Sequence, residues 1–368
     1  MSIQVYVVDD SAVVRQALQH LLADEPGITL VGSAPNPLLA APAIRKLRPD
    51  VLLLDIEMPG MDGLTFLRQQ MAEAPIPTVI CSTLSTAGSQ VALEALAAGA
   101  VAIVAKPRLG LKQFLDDSRR ELVQALKAAA RSHPRASATS ATSAAIAPRP
   151  APTPATAGAV LPRPLAAAPA VAGVHALAMN KPVVIGSSTG GTQALEQVLT
   201  ALPRDAPGIA ITQHMPEKFT AMYAQRLDGL CAVNVREAKD GDRLERGVVL
   251  IAPGGRHLKL RKAGGQYFAV VLDGPPVNRH KPSVDVLFRS TADCAGRDAL
   301  AIMLTGMGDD GARAMKQMHD MGARTIAQDE ATCVVFGMPK EAIALGAVDE
   351  VMPIGHVARA ILAFDARA

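Results

Sequence analysis

Tryptophan is absent from this sequence and aromatic residues make up only 3% of it, so whatever cores the chain builds must be aliphatic. Cysteine is scarce as well. Cys81, Cys231, Cys294 and Cys333 are scattered, form no C-x-x-C pair and show no Cys/His metal spacing. That argues against a disulfide framework or a zinc module, and points to a reduced, cytoplasmic setting in which the thiols serve as small core residues. An excess of one charge is missing too: the net +3 is too small to argue for nucleic acid or an anionic membrane surface. No uncharged apolar run reaches the ~18 residues of a membrane span outside an Ala/Pro-rich middle, which prolines and arginines interrupt, so no membrane insertion is expected. The start of the chain lacks a basic region followed by an apolar one, and the G-x-G-x-x-G spacing of a dinucleotide site is absent.

What is present is a chain of 368 residues with 49% apolar content, enough for two domains with cores of their own. In the first segment, short apolar runs alternate with helical periodicity. Strand-like runs fall at Ile3 to Val8, Leu30-Val31, Val51 to Leu54, Thr78 to Cys81 and Val101 to Val104, with helix-like stretches such as Ala40 to Leu47 between them. Near-continuous apolar strands separated by helices predict a (βα)5 unit with a parallel sheet covered on both faces. From about Arg131 to Asn180, Ala, Pro, Ser and Thr dominate and periodicity disappears, which reads as a flexible, Pro-stiffened linker. The expected division is 1–125, linker 126–179, and a second domain 180–368. That domain reads as doubly wound α/β with a mixed sheet. Its strands fall near Val183–Ile185, Gly208–Gln213, Val248–Ile251, Tyr267–Leu272 (an edge or hairpin), Asp298–Leu304 and Thr325–Ala327.

Ligands of open α/β sheets bind at the carboxyl ends of the strands. In the first domain Asp9, Asp10, Asp55, Ser82 and Lys106 all fall there. Three converging carboxylates are costly without a cation, and an oxygen-only ligand set suits Mg²⁺, which bridges readily to phosphate. In the second domain, Gly186-Ser187-Ser188-Thr189-Gly190 follows an apolar strand and precedes a helix. It fits G-x-S-x-G with Ser188, not Ser187, at the elbow; a helix cap or phosphate cradle is the other reading of such a turn. His214 ends another apolar strand, and Asp309-Asp310 follows a third. A hydroxyl, an imidazole and a carboxylate are what acyl transfer needs, although chemistry alone does not choose between Asp309 and Asp310. His257 and His280 are expected in polar loops, touching substrate or solvent. His20, His133, His175, His319 and His356 are expected on the surface.

Residues 1 to about 125 resemble the receiver domain of bacterial response regulators through Val8-Asp-Asp-Ser11, Leu54-Asp-Ile-Glu-Met-Pro-Gly-Met-Asp-Gly63, Ser82 and Lys106-Pro107. The resemblance implies that Asp55 accepts a phosphoryl group from a chemotaxis histidine kinase. Asp10 and Asp55, assisted by Asp9, would hold Mg²⁺, and Ser82 and Lys106 would contact the phosphoryl oxygens. The second domain resembles the chemotaxis protein-glutamate methylesterases, the CheB family. The motifs that carry this are Ile185-Gly-Ser-Ser-Thr-Gly-Gly-Thr192, Ile211-Thr-Gln-His-Met-Pro216, Lys281-Pro-Ser-Val-Asp285, Leu304-Thr-Gly-Met-Gly-Asp-Asp-Gly311 and Cys333-Val-Val-Phe-Gly-Met-Pro339. That resemblance implies Ser188 as nucleophile, His214 as base, Asp310 as orienting acid and an oxyanion hole from backbone N–H groups near Met307. It further implies methyl-accepting chemotaxis receptors as substrates, hydrolysis of their glutamate γ-methyl esters, deamidation of some of their glutamines, and no cofactor for hydrolysis. The unphosphorylated receiver is expected to pack over the catalytic cleft. Ser187 departs from the Ala usual in the family. The competing expectations are a phospho-switch that docks without catalysis, which the complete Ser/His/Asp set opposes, and a transcription regulator, for which no helix-turn-helix pattern follows the receiver.

Overall fold

The computed structural model describes residues 2–58, 62–82, 86–106, 112–132, 181–217 and 219–366. Most of the expected linker, together with Pro59, Gly60, Met61 and Pro107 of the receiver motifs, lies outside them. Among the described residues the first domain runs β1 (Ile3–Val8), α1 (Ala12–Ala23), β2 (Ile28–Ala34), α2 (Pro37–Leu47), β3 (Val51–Asp55), α3 (Gly63–Glu73), β4 (Thr78–Ser82), α4 (Thr86–Ala97), β5 (Ala102–Ala105) and α5 (Lys112–Arg131). The strands pair in parallel in the order β2-β1-β3-β4-β5. Side chains alternate across this sheet with the two-residue strand period. Val5, Val7, Leu53, Val79 and Cys81 pack with Leu18, Leu22, Leu122 and Leu126 on one face. Tyr6, Val8, Leu52, Leu54 and Ile80 pack with Ile44, Leu67, Leu93 and Leu96 on the other. Because the chain steps from β1 out to β2 and then back to β3, β1 and β3 flank the point where the winding reverses. Asp9 and Asp55 stand at that crevice.

The second domain continues with β6 (Val183–Ser187), α6 (Gly191–Thr200), β7 (Ile209–Gln213), α7 (Phe219–Leu230), β8 (Asn234–Glu237), β9 (Arg243–Leu244), β10 (Val248–Ile251), β11 (His257–Ala263), β12 (Gln266–Leu272), α8 (Val284–Ala295), β13 (Leu300–Met303), α9 (Ala312–Asp320), β14 (Arg324–Gln328), α10 (Met338–Ala344), β15 (Glu350–Met352) and α11 (Ile354–Asp365). Seven strands pair in parallel in the order β15-β14-β13-β6-β7-β10-β8. The antiparallel pairing expected of a mixed sheet is confined to a separate three-stranded sheet, β11-β12-β9. The reason is that the β11–β12 hairpin packs its apolar side, Leu258, Leu260, Tyr267 and Ala269, against α8 instead of joining the main edge. Here the winding reverses between β6 and β13. Ser188 follows β6, His214 follows the adjacent β7, and Asp310 follows β13, so one crevice receives all three.

One boundary needs correction. Helix α5 runs on to Arg131, with Leu126, Ala128 and Ala129 buried, so a domain end at residue 125 cuts through it. The alanines that resemble the start of a low-complexity linker are strong helix formers with side chains small enough to pack closely on the sheet. A receiver fragment ending at residue 125 should therefore melt well below one ending at residue 132, the loss of buried Leu126 alone being worth about 2 kcal/mol or more. Equal melting temperatures would show that the last turns of α5 contribute nothing.

Candidate active site and phospho-acceptor site

At the receiver crevice, Asp55 is fully buried. Its Oδ1 accepts from Glu57 N–H (3.0 Å), and its Oδ2 accepts from Lys106 Nζ (2.7 Å). Asp9, also buried, accepts from Ser11 N–H through Oδ1 (2.9 Å) and lies 3.3 Å from Lys106 Nζ through Oδ2. Burial pushes Asp9 upward against the pull of Lys106, while the two carboxylates push Lys106 upward despite its own burial. Ser82 is buried at the end of β4, and its carbonyl accepts from Lys106 N–H (2.9 Å). Asp10 is exposed, and Arg15 donates to the backbone carbonyls of Asp9 and Asp10. Carboxylate oxygens of Asp9, Asp10 and Asp55 come within 4.8 Å of one another, and Asp9 Oδ2 accepts no hydrogen bond among the described residues. A buried, incompletely satisfied oxygen beside two further carboxylates suits a hard divalent cation.

In the second domain the sequence-marked residues again converge. Asp310 is fully buried and its carboxylate is surrounded by donors. Oδ1 accepts from Asn278 Nδ2 (2.9 Å), Ser283 Oγ (2.8 Å) and Asp285 N–H (3.3 Å). Oδ2 accepts from Val284 N–H (2.7 Å) and lies 2.8 Å from His214 Nε2. Val284 and Asp285 open α8, so the acid also sits at the positive end of a helix. Burial alone would raise Asp310, but His214, Asn278 and Ser283 outweigh it and hold the carboxyl down to about 2. An ionised carboxylate only accepts, so the His214 proton lies on Nε2 and leaves Nδ1 with a free lone pair. Nδ1 is buried and has no hydrogen-bond partner among the described residues. Asp309, by contrast, is exposed and contributes its backbone carbonyl to the start of α9.

Ser188 is half-buried just beyond β6; it donates its N–H to Thr305 O (3.0 Å), and no hydrogen bond joins its hydroxyl to His214 in this state. The turn that carries it depends on Gly190, whose φ of +79° and closeness to Val334 leave no room for a side chain. Across the turn, a Cβ on Gly306 would stand 2.8 Å from Ser188 Cβ, so only glycine lets the loop after β13 come this near. The neighbouring Met307 is half-buried, and its N–H donates to no acceptor among the described residues.

Several neighbours escaped the reading of the sequence. Gln213 donates Nε2 to both Ser188 O (2.9 Å) and His214 O (3.0 Å), tying the two loops together. The buried Ser187 hydroxyl donates to Gln213 Oε1 (2.7 Å) and so fixes which way that amide faces. His257 is not in a polar loop; it is buried at the start of β11, where Ser283 N–H donates to its Nδ1 (3.3 Å). His280 stacks on His214. Of the residues expected on the surface, His20 and His356 are exposed and His319 is half-buried, while His133 and His175 lie outside the described residues. None of the four cysteines is in a disulfide; burial pushes the Cys231 and Cys294 thiols to about 11 and that of Cys333 to about 12, so they stay protonated. No helix among the described residues is long and apolar enough to cross a membrane.

Comparison with known proteins identifies both domains. A family model described as "Response regulator receiver domain" matches residues 5–115, and one described as "CheB methylesterase" matches residues 183–361. The chain is 57% identical to a protein-glutamate methylesterase/protein-glutamine glutaminase 2 of Xanthomonas euvesicatoria pv. vesicatoria over 97% of this chain and 99% of that one. It is 58% identical to the protein of the same name from Dechloromonas aromatica, over 98% of each. The solved CheB methylesterase catalytic domain of Thermotoga maritima, 38% identical, covers 50% of this chain and 98% of its own with a TM-score of 0.49. The class is thus a response-regulator receiver joined to a methylesterase domain, and the receiver implies Mg²⁺-dependent phosphorylation in general terms. Within that class, the chain belongs to the protein-glutamate methylesterase/protein-glutamine glutaminase family.

Two groups held below their ordinary values set how the fold answers to acid. His280 is held down to about 4 by burial first and by the adjacent His214 second. The unfolded chain therefore takes up that proton first, and stability should fall as the pH drops from about 6.5 to about 4. Asp310 works in the same sense at lower pH: with its carboxyl at about 2, its contribution is complete above about pH 4 and is lost as the pH falls through about 2. Denaturant midpoints measured against pH should show both limbs. His280→Phe should flatten the upper limb and Asp310→Asn the lower; a parent curve flat between pH 6.5 and 4 would contradict a His280 held neutral.

Proposed function

We propose that Ser188, His214 and Asp310 form the catalytic triad of a phosphorylation-regulated esterase and amidase. It hydrolyses the glutamate γ-methyl esters, and deamidates glutamines, of methyl-accepting chemotaxis receptors in the cytoplasm. The observation that carries this reading is the ionised, buried Asp310 bonded to His214 Nε2, which leaves Nδ1 as the basic nitrogen of a residue that Gln213 ties to the Ser188 turn. In the first step His214 Nδ1 takes the Ser188 proton as Oγ attacks the carbonyl carbon. The developing oxyanion is received by backbone N–H groups at Met307 and the Ser188 turn. The tetrahedral species collapses, and the proton passes from His214 to the leaving oxygen, releasing methanol, or to the leaving nitrogen, releasing ammonia. Water then attacks the acyl-enzyme with the same base, freeing the glutamate carboxylate and restoring Ser188. The serine route activates its nucleophile through His214 and needs no metal.

In the receiver, Asp55 accepts the phosphoryl group from a chemotaxis histidine kinase. Asp9, Asp10 and Asp55 would hold Mg²⁺, which supplies charge neutralisation for the phosphoryl oxygens. Lys106, already 2.7 Å from Asp55 Oδ2, and Ser82 stand ready for those oxygens. What couples the two halves is the start of α6. Gln193 donates Nε2 to the receiver carbonyls Leu96 O (2.7 Å) and Ala100 O (3.4 Å), and Val334, which crowds Gly190, packs against receiver core residues. The receiver thereby rests on the helix that follows the nucleophile, and charge added at Asp55 releases it.

Methanol release from methylated receptors tests both parts. Ser188→Ala and His214→Ala should each lower turnover by several orders of magnitude, with little further loss when combined, and Asp310→Asn should cost less. Gln193→Ala should raise unphosphorylated turnover up to about fivefold, as a loss of ~1 kcal/mol of docking energy allows, and leave the phosphorylated rate unchanged. Asp55→Asn should abolish the response to phosphodonor while keeping basal turnover. Near-parental turnover in Ser188→Ala would refute the triad, and an unresponsive Gln193→Ala would refute the latch.

A further inference from the structure

Residues Val277 to His280 close a tight turn through two reciprocal backbone hydrogen bonds, Val277 N–H to His280 O (3.1 Å) and His280 N–H to Val277 O (2.9 Å). Both central residues lie at positive φ, Asn278 at 49° and Arg279 at 69°. Two-residue hairpin turns of that hand favour glycine or asparagine, and an Arg side chain there is strained. Backbone held in such a region persists only where its surroundings over-determine it, which directs attention to what the turn delivers.

It delivers two side chains to the His214–Asp310 pair from one side. Asn278 Nδ2 donates to Asp310 Oδ1 (2.9 Å) and to Asp285 Oδ2 (2.5 Å), so it braces the carboxylate against the start of α8. The His280 ring lies flat on the His214 ring, with centroids 3.7 Å apart and planes 5° from parallel. Nothing in this contact resembles a surface histidine facing solvent. Two stacked imidazoles can coexist only while at most one is charged, and burial together with His214 holds His280 neutral above about pH 4. When His214 becomes a cation during turnover, it therefore meets a neutral aromatic face and not a second charge.

We propose that His280 is a positioning residue of the esterase reaction: an aromatic plate that fixes the His214 ring in the plane where Nε2 meets Asp310 and Nδ1 faces Ser188, and that keeps water from that face. The role rests on the triad reading above. A histidine ring has two faces, and its hydrogen bond to Asp310 fixes one edge only. Rotation about that bond would carry Nδ1 away from the nucleophile, and the stacked ring opposes it. His280 offers shape and an aromatic face, so the ring should matter more than its nitrogens.

Three substitutions in the full-length protein separate this from a structural or polar role: His280→Ala, His280→Phe and His280→Asn. Each is read by methanol release with phosphodonor, by thermal melting and by the far-downfield ring N–H resonance of His214 bonded to Asp310. His280→Ala should lower kcat about 10- to 100-fold with KM nearly unchanged, the scale expected when a reacting group loses its alignment. Its downfield resonance should broaden or vanish. His280→Phe should recover kcat to within a few-fold and keep the resonance, whereas His280→Asn should behave like alanine. If the alanine variant is too unstable to assay, the comparison of Phe with Asn decides. Asn matching Phe, or Asn rescuing where Phe fails, overturns the plate, as does a His280→Ala enzyme with parental kcat and a sharp resonance. The resonance reports on the His214–Asp310 pair whether or not Ser188 is the nucleophile, so a failure of the triad reading and a failure of this one remain distinct.

Discussion

Burying an ionised carboxylate costs several kcal/mol unless donors replace the water it loses, and the second domain is arranged around meeting that demand at Asp310. The donors come from three separate pieces of chain: the turn at Asn278, the α8 start at Ser283 to Asp285, and His214 beyond β7. The sheet order, with β6 between β13 and β7, brings the exits of β13 and β7, and so Asp310 and His214, to one crevice. The same demand sets the chemistry. An acid with every lone pair engaged stays ionised, fixes the tautomer of His214 and leaves one basic nitrogen, so the electrostatics of folding and the polarity of the reaction have a single source.

The two halves of the chain solve related problems with opposite means. Both place carboxylates where the winding of a parallel sheet reverses, since strand ends splay apart there and leave a crevice. In the second domain the carboxylate is saturated with hydrogen-bond donors and remains an anion bonded to His214. In the receiver, Asp55 and Asp9 are supported mainly by one cation, Lys106, and Asp9 Oδ2 accepts no hydrogen bond among the described residues. A saturated carboxylate is a fixed part; an under-satisfied pair is a site prepared for an ion and a phosphoryl group. The start of α6 connects them, because Gln193 reaches receiver carbonyls from the helix whose first residues shape the Ser188 turn.

Much of this was legible in the sequence because β-branched and aliphatic runs ending in Gly, Asp, Ser or His mark strand exits in a parallel sheet. Asp9, Asp55, Ser188 and His214 could be placed that way. The choice of Asp310 over Asp309 could not: adjacent carboxylates after one strand look alike until burial separates them, and only family resemblance favoured the second. His280 was not legible because a histidine two residues beyond Asn278 in a polar stretch carries no periodicity, and its stacking depends on a turn with two left-handed residues. Ser187 was visible as an extra hydroxyl, but its part in orienting Gln213 needs the register that sets Ser187 opposite Gln213 on β7. The end of α5 was misplaced because alanine serves a packed helix and a low-complexity linker equally well.

On the proposed reading, the buried Asp310–His214 pair makes Ser188, and not the neighbouring Ser187, the activated hydroxyl. A fluorophosphonate probe tests this directly, since an activated serine displaces fluoride and keeps the phosphonyl group on Oγ. Mass spectrometry of the labelled full-length protein should find one adduct, on Ser188, and the labelling rate should fall sharply in Asp310→Asn while the fold is retained. Labelling on Ser187, or labelling of Ser188 at an unchanged rate without the Asp310 carboxylate, would contradict the account.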